Sequence, residues 1–203
     1  FRTQLRTESF DGLIEQKFGF SYAHFNRRDT NAGFFGTPVF DGSTSKFDWQ
    51  ANVVLYETEV IRSVLTSGLD YLDEGASSSA SARRSLHATG FYVQQHLVLD
   101  DRWSTVAGAR WDRYSLAGPA KTYRVTSRYT TDESGTAFHG SIGTGFRAPA
   151  INELFDPNLG NLDLKPERSF GWELGVEQSL GGGDLVVDVT YFRNDIDNLI
   201  VYQ

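Results

Sequence analysis

The sequence predicts an all-β fold, an antiparallel transmembrane β-barrel to which this chain contributes about ten strands. Apolar and polar residues alternate with a period of two in one segment after another, which is the period of a strand with two different faces. Several segments approach the about 9 to 11 residues that a tilted strand needs to cross a bilayer. Short turns also alternate with long loops along the chain.

The composition is compatible with this fold. The hydrophobic fraction of 39% and the mean hydropathy of -0.37 are typical of a water-soluble protein. The sequence has no run of about 18 consecutive apolar residues, which excludes a transmembrane helix. A transmembrane barrel remains possible, because its strands alternate apolar and polar residues and mean hydropathy does not detect them. The 14% aromatic residues and 20 glycines favour a β protein.

Charge and cysteine content exclude several classes of site. The chain has no cysteine, so disulfides, zinc thiolate sites and thiol nucleophiles are excluded. The net charge of -7 argues against a general nucleic-acid surface, for which a basic stripe is expected. The first residues do not resemble the start of a signal peptide, so we expect the chain to be processed, trimmed or excised.

The alternation locates the strands. In residues 47–55, Phe47, Trp49, Ala51, Val53 and Leu55 fall on one face, and Asp48, Gln50 and Asn52 fall on the other. Further strands are predicted at 14–25, 60–71, 87–98, 103–114, 123–130, 138–147, 170–177 and 185–191, with weaker ones at each end of the chain.

The predicted connections come in two sizes. Tight turns contain Asp11-Gly12, Glu57-Thr58-Glu59, Asp100-Asp101, residues 132–135 and the three glycines at 181–183. Long loops are predicted at 26–46, 72–85, 115–122 and 148–167. Bacterial barrels have short periplasmic turns and long extracellular loops, so this alternation favours a barrel.

The predicted strands segregate charge by face. The positions assigned to the interior include Asp48, Arg110, Asp112, Glu173 and Glu177, and the opposite positions are nearly free of charge. An Arg or Lys facing lipid at mid-membrane costs about 2 to 4 kcal/mol, which is a physical reason for this segregation.

Two tryptophans on one predicted strand indicate the edges of the membrane. Trp103 and Trp111 share the lipid-facing set and lie eight residues apart. At about 3.3 Å per residue and a typical barrel tilt, they span about 20 Å of the apolar band and are candidates for the two aromatic girdles. The alternative is a soluble two-sheet protein whose apolar faces pack together; strand length and loop asymmetry count against it.

Three segments resemble, in order, motifs of the TonB-dependent outer-membrane receptors. Residues 143–149 (GTGFRAP) resemble a strand-end motif, and 152–155 (NELF), 160–169 (GNLDLKPERS) and 172–177 (WELGVE) resemble the family's Asn-Pro-x-Leu-Lys-Pro-Glu segment and its flanks. Residues 191–200 resemble the next strand and outer bend, with weaker similarity at 107–112 and 68–71. Leu162 replaces the usual proline, which affects only local loop rigidity. The family-motif residues are Gly145, Phe146, Arg147, Ala148, Pro149, Asn161, Leu164, Lys165, Pro166 and Glu167.

The resemblance implies a cobalamin or siderophore receptor in the cell outer membrane. The family's barrel has 22 strands, so residues 1–203 would be about half of one, without the plug domain or the final strands. The implied partners are the TonB energy-coupling complex, reached through the plug, a metal chelate or cobalamin as ligand, and outer-membrane lipid. No cofactor or metal is predicted. An isolated half-barrel would expose two strand edges, so we expect it to aggregate or misfold without detergent or the missing strands.

Most motif residues also have a structural interpretation, which we favour. Pro149 and Pro166 end a strand and shape a loop, while Gly143 and Gly145 make room on the interior face. We expect Arg147 to form an ion pair inside the barrel, with Glu173 and Glu177 as candidate partners.

Ligand contacts are predicted from loop position. Aromatic side chains supply contact area and polar groups supply orientation, which makes candidates of Phe34, Phe35, Phe155, Asp156 and Asn158. The alternative is that these residues pack within the loops. Asp70, Asp73 and Glu74 form an acidic cluster at a strand end, which we interpret as a solvated loop in preference to a calcium site.

Two other function classes are compatible with an outer-membrane barrel. A ten-stranded outer-membrane barrel with Asp and His at its rim can be a protease, and His24 and His87 lie near outer strand ends. We find no Asp-His pairing near them, or near His96 and His139, and no nucleophile elbow, so we predict that the chain is not an enzyme. An adhesin or structural barrel is the third class, and a plug in the full gene would distinguish a receptor from it.

Overall fold

The computed structural model describes residues 1–28, 30, 39–79, 81–131, 135–156 and 158–201. Its ten strands form an antiparallel sheet in which spatial order follows chain order. A short helix, α1 (Ile151–Phe155), lies in the last long connection. The strands are β1 (Arg2–Ser9), β2 (Ile14–Arg28), β3 (Val39–Glu57), β4 (Ile61–Ser78), β5 (Ser81–Leu99), β6 (Trp103–Tyr114), β7 (Gly118–Thr130), β8 (Thr136–Arg147), β9 (Glu167–Leu180) and β10 (Leu185–Asp197).

One end of the sheet, the turn end, carries the tight hairpins between β1 and β2, β3 and β4, β5 and β6, and β9 and β10. β7 and β8 are also joined at this end, but residues 132–134 of the turn predicted at 132–135 lie outside the described residues. Asp100 and Asp101 have φ values of +52° and +50°, as the central residues of a type I′ turn require. Gly181, Gly182 and Gly183 also have positive φ, which glycine adopts without a steric penalty. The predicted turns at 11–12, 57–59, 100–101 and 181–183 are confirmed.

The opposite end, the loop end, differs from the prediction. The loop predicted at 72–85 is wrong, because β4 continues to Ser78 and β5 begins at Ser81. The loop predicted at 115–122 is also wrong, because β7 begins at Gly118. Pairing with a neighbouring strand satisfies backbone N–H and C=O groups whatever the side chain, so small and polar residues extend the hairpins beyond the predicted strands. The loop predicted at 26–46 is wrong at both ends, because β2 continues to Arg28 and β3 begins at Val39. Of the residues between them, only residue 30 is described. The other long connection is 148–166.

The register assigns every paired residue to one of two faces. In one row, the apolar face presents Phe18, Trp49, Leu69, Phe91 and Trp111 on five neighbouring strands. One residue nearer the loop end on each strand, the polar face presents Gly19, Asp48, Asp70, Gly90 and Asp112. The predicted alternation is therefore confirmed across the sheet.

Nothing in the described chain covers the apolar face. Trp103 and Trp111 are 49% and 52% exposed, and Leu174 and Val189 are 63% and 70% exposed. A soluble sandwich would bury such residues between two sheets, so that alternative is wrong. Within the described ranges, no helix has the length and apolarity needed to span a membrane.

Aromatic rows border the apolar face at both ends. Near the turn end, Tyr129 lies opposite both Trp103 and Phe138. Near the loop end, Phe47 lies opposite Phe20 and Tyr71, with 4.6 Å between the ring centroids of Phe20 and Phe47. These rows have the positions expected of two interfacial girdles.

Candidate functional site

The centre of the polar face is an ion cluster on β4 and β6. The Arg110 guanidinium donates to both Asp70 carboxylate oxygens, at 2.8 and 3.0 Å, and Nε donates to both Asp112 oxygens at 2.9 Å. Asp112 is only 6% exposed, and the Asp70 side chain is 15% exposed. Paired charge-assisted bonds fix the planar guanidinium between the two carboxylates. The three groups together carry one uncompensated negative charge.

Hydrogen bonds continue from this cluster towards the turn end. The Tyr92 ring lies beside the Arg110 guanidinium, 5.9 Å from ring centroid to Cζ, and its hydroxyl donates to Gln50 at 3.0 Å. Gln50 donates to Asn52, and Asn52 donates to Glu15, both at 3.0 Å. Glu15 also forms an ion pair with Lys17 at 2.6 Å. The polar face is thus a connected network of fixed charges and dipoles.

Two glycines make this arrangement possible. A Cβ atom on Gly68 would lie 2.4 Å from Cζ of Tyr92, and one on Gly90 would lie 2.0 Å from Nη2 of Arg110. No side chain fits at either position unless its neighbour moves. The long side chains therefore lie flat across the sheet, over the glycines of the adjoining strands.

We expect Gly90→Ala to lower the free energy of unfolding by about 1 to 3 kcal/mol, the usual cost of overpacking. The new methyl group would displace Arg110 from Asp70 and Asp112. Denaturant unfolding in detergent measures the effect, in protein expressed from its own gene with its flanking sequence. Gly108→Ala is the control, because its nearest neighbour would be a backbone oxygen at 3.3 Å. An equal loss in both variants would contradict this account.

The loop after β8 folds over the polar face. The backbone N–H of Ala150 donates to Glu153 at 2.7 Å, which caps α1. Arg84 of β5 lies over the Phe155 ring, 4.9 Å from its centroid. The helix therefore packs on β5, and the loop crosses towards the middle of the sheet.

Arg147 connects this loop to the sheet, with different partners from those predicted. It forms ion pairs with Glu153, which is 6% exposed, and with Glu167 at 3.1 Å. The prediction of Glu173 and Glu177 is wrong, because Glu173 accepts a hydrogen bond from Ser141 and Glu177 pairs with Arg128. Helix α1, which was not predicted, brings Glu153 closer to Arg147 than residues further along β9. The Asn-Glu-Leu-Phe segment at 152–155 is the sequence feature from which this helix could have been predicted.

Four other family-motif residues have structural contacts. Asn161 accepts a hydrogen bond from the N–H of Asp163 at 2.9 Å, and the Pro166 carbonyl accepts one from Asn198 at 3.3 Å. Glu167 accepts one from the N–H of Ile200 at 2.8 Å. A Cβ on Gly145 would lie 2.4 Å from the Ser169 hydroxyl. These contacts fit the structural interpretation of the motif.

The structure brings three of the five predicted ligand residues together. Phe155, Asp156 and Asn158 lie in the loop after β8, whereas Phe34 and Phe35 lie outside the described residues. Asp156 accepts hydrogen bonds from the N–H groups of Asn158 and Leu159, at 2.9 and 3.0 Å. Phe155 packs against Arg84. Their observed contacts are thus within the loop or with the sheet.

Sequence reasoning missed two leucines of the same loop. Leu159 and Leu162 are 63% and 70% exposed, and both precede β9 at the loop end. Exposed leucines beside a polar face offer apolar contact area. In the sequence, only their position in the long connection suggested that these two leucines could contact a ligand.

The acidic cluster near residue 70 is divided between the two faces of β4. Asp70 and Glu74 share the polar face, whereas Asp73 lies on the apolar side opposite His87, 3.1 Å from its Nδ1 atom. The expectation of a solvated loop is wrong, because these residues belong to a paired strand. In the described parts of the chain, no group of three or more His, Cys, Asp or Glu residues is arranged to hold a metal ion.

The expectation that histidines lack acidic neighbours is also wrong. Besides His87, His24 lies 3.5 Å from Asp41, and His139 lies 2.7 Å from Asp188. The pairs at His24 and His87 project from the apolar side at the loop end. They are therefore on the opposite side of the sheet from α1 and the ion cluster.

A family model described as TonB dependent receptor-like, beta-barrel, matches residues 1–203. The vitamin B12 transporter BtuB of Photobacterium profundum is 29% identical over 200 residues, 94% of this chain and 31% of that protein. The iron-regulated outer membrane virulence protein of Vibrio cholerae is 30% identical over 140 residues, 64% of this chain and 21% of that protein. The chain spans less than a third of the length of either relative.

Solved structures share the fold. A mutant of the ferric enterobactin receptor of Pseudomonas aeruginosa, in complex with enterobactin, superposes with a TM-score of 0.78 at 19% identity, over 96% of this chain and 34% of that one. The siderophore receptor PirA of Acinetobacter baumannii superposes with a TM-score of 0.75 at 18% identity, over the same shares of the two chains. At this identity the likeness concerns the fold alone.

Proposed function

Because the chain belongs to the TonB-dependent receptor-like β-barrel family, whose model matches residues 1–203, we propose that it forms about ten strands of a closed 22-stranded barrel. That barrel would belong to a receptor that imports a bulky nutrient, with the plug and remaining strands supplied by sequence outside this chain. The family match carries the proposal. A single sheet with one apolar and one polar face supports it.

The location follows from the family, whose barrels are outer-membrane proteins of Gram-negative bacteria. The chain is accordingly placed in the outer membrane. In the proposed barrel, the apolar face meets lipid and the polar face lines a hydrated interior, the arrangement that alternating strands require. The turn end then faces the periplasm, and the loop end faces the outside.

The polar face is suited to hold a plug. The Arg110 cluster retains a negative charge, and the network from Tyr92 to Glu15 presents donors and acceptors in fixed positions. A plug with complementary polar groups would pair with this surface without a large apolar interface. The proposed transport step is movement of that plug by the TonB energy-coupling complex, which requires no catalytic residue of this chain.

We place ligand capture at the loop end and propose cobalamin or a ferric siderophore as the ligand class. The loop after β8 presents Leu159 and Leu162, and Phe155, Asp156 and Asn158 remain proposed contacts beside them. Phe34 and Phe35 remain proposals from their position. Apolar area with a few polar groups is the usual composition of such a site.

Uptake by cells tests the function. The full gene is expressed in a host that lacks its own cobalamin and siderophore receptors, with and without TonB, and labelled cyanocobalamin and ferric enterobactin are supplied separately. We expect saturable uptake of one ligand that disappears without TonB. Uptake that continues without TonB, or failure of the correctly folded protein to take up either ligand, would contradict the proposal.

Two leucine substitutions test the loop. We expect the double variant Leu159→Ser/Leu162→Ser to weaken binding of the imported ligand about tenfold, because two apolar contacts of roughly 0.7 kcal/mol each would be lost. Equilibrium binding to purified receptor measures the change. Leu180→Ser, an exposed leucine at the turn end, is the control and should bind normally. Equal affinity in both variants would exclude these leucines from the ligand site.

A further inference from the structure

Several cations are grouped at the loop end of the apolar face. They project from the apolar side beyond the aromatic row, namely Arg28, Arg83, Arg113, Lys121, Arg168 and Arg193. Two of them are paired with carboxylates, Arg83 with Asp41 and Arg193 with Asp195. The others lie at the upper edge of the face that the proposed function turns towards lipid.

Arg113 and Lys121 have charged groups without a partner in the described part of the chain. Neither forms an ion pair or a side-chain hydrogen bond with any residue in the described part of the chain, and both are exposed. On the polar face, Arg110, Arg128 and Arg147 each form an ion pair with a carboxylate, whereas Arg124 forms none with a described residue. Two neighbouring cations without an internal counter-charge indicate an external anion.

The register places these two cations beside each other. Lys121 lies opposite Trp111 of β6, and Arg113 follows two residues later on the same face, opposite Pro119. Diagonal neighbours on one face of an antiparallel pair lie about 7 to 8 Å apart, within reach of long side chains. Arg113 and Lys121 can therefore approach one phosphate group together.

An apolar hollow adjoins the cations on the side of the aromatic band. It measures about 350 Å³, and Phe91, Val93, Ala109, Trp111 and Tyr123 line it, with Lys121 at its edge. A small residue, Ala109, lies among larger ones and leaves the space open. Cations above an apolar hollow are complementary to a phosphate headgroup with its acyl chain below.

We propose that Arg113 and Lys121 bind the phosphate of an anionic lipid in the outer leaflet, with one acyl chain in the hollow beside Trp111. This site rests on the membrane placement in the proposed function, but it is separate from nutrient capture. Each basic residue just outside the hydrocarbon raises the affinity of a protein for an anionic lipid surface about fivefold. Without such a lipid, the two cations would repel each other beside an apolar face.

Native mass spectrometry of the detergent-purified receptor, expressed from its own gene, tests the site. The probes are bisphosphorylated lipid A, its monophosphoryl form and phosphatidylethanolamine, each titrated separately. We expect Arg113→Gln/Lys121→Gln to weaken bisphosphoryl lipid A binding roughly 20-fold, since two such contributions are lost. Arg113→Lys/Lys121→Arg should retain it. Arg124→Gln is the matched control, because Arg124 lies on the polar face of the same strand and is also exposed.

The outcomes separate this proposal from the proposed function. Binding of both forms of lipid A in preference to zwitterionic phosphatidylethanolamine, and loss of lipid A only in the double Gln variant, support the site. Unchanged lipid A binding in that variant, or an equal loss in Arg124→Gln, overturns it. Nutrient uptake is measured in the same variants and should continue, so a failed lipid site would leave the receptor function standing.

Discussion

Val125→Arg is expected to prevent stable insertion or to lower the free energy of unfolding by about 2 to 4 kcal/mol, the cost of arginine on a lipid face at mid-membrane. Val125 lies on the apolar face, opposite Ala107 and Ile142 and midway between Tyr129 and Lys121 along β7. The guanidinium would meet hydrocarbon there, without a carboxylate to pair with. Folding into lipid vesicles, followed by denaturant titration, measures the loss.

The adjacent residue provides the matched control. Thr126 points to the polar face and lines a hollow with Glu177 and Asp188. Arginine at position 126 would therefore meet water and a hollow in which Glu177 and Asp188 are already paired with Arg128 and His139. Thr126→Arg should change stability by less than about 1 kcal/mol, because the new charge stays hydrated. If Thr126→Arg is the more damaging substitution, the two faces have been assigned the wrong way round.

The faces could be predicted from the sequence because their cause is local. Alternation in segments such as Phe47 to Leu55 requires only that neighbouring side chains point to opposite sides of a strand. The register in the structure then places Trp49 beside Leu69, as the shared apolar pattern demands. Tight turns were also predictable, since the residue pairs at Asp11-Gly12 and Asp100-Asp101 tolerate positive φ.

The extent of the hairpins at the loop end could not be predicted in the same way. Residues 72–85 contain many serines, alanines and charges, a composition shared by loops and by paired strands in water. What distinguishes the two is the backbone pairing between β4 and β5, which reaches Ser78 and Ser81. This pairing depends on the neighbouring strand, so the alternation of apolar and polar residues within one strand does not predict how far it extends.

The candidate site shows the same division. Asp112 and Arg110 were assigned to one face from alternation, and the structure confirms it. Their partner Asp70 lies 40 residues from Arg110 in sequence, and the contact follows only from the register of β4, β5 and β6. The partners of Arg147 were mistaken for the same reason, because α1 is a five-residue helix whose sequence carries little periodic signal.

Removal of the Arg110 charge is the other substitution with a large expected effect. Arg110→Gln leaves Asp70 and Asp112 facing each other without their shared cation, and Asp112 is only 6% exposed. Breaking a buried ion pair by removing one partner costs about 3 to 5 kcal/mol, and we expect the lower end here because the Arg110 side chain is 34% exposed. Denaturant unfolding of the detergent-purified receptor gives the value.

Two comparisons show whether charge is the cause. Arg128→Gln removes the partner of Glu177. The Arg128 side chain is 44% exposed and Glu177 is 30% exposed, against 15% for Asp70, so water screens this pair and its cost should stay below about 1 kcal/mol. The triple variant Asp70→Asn/Arg110→Gln/Asp112→Asn removes all three charges and should recover most of the lost stability, because no unpaired carboxylate then remains on the polar face. If the triple variant is as unstable as Arg110→Gln, the lost packing over Gly90 explains the effect, and electrostatic pairing does not hold these strands together.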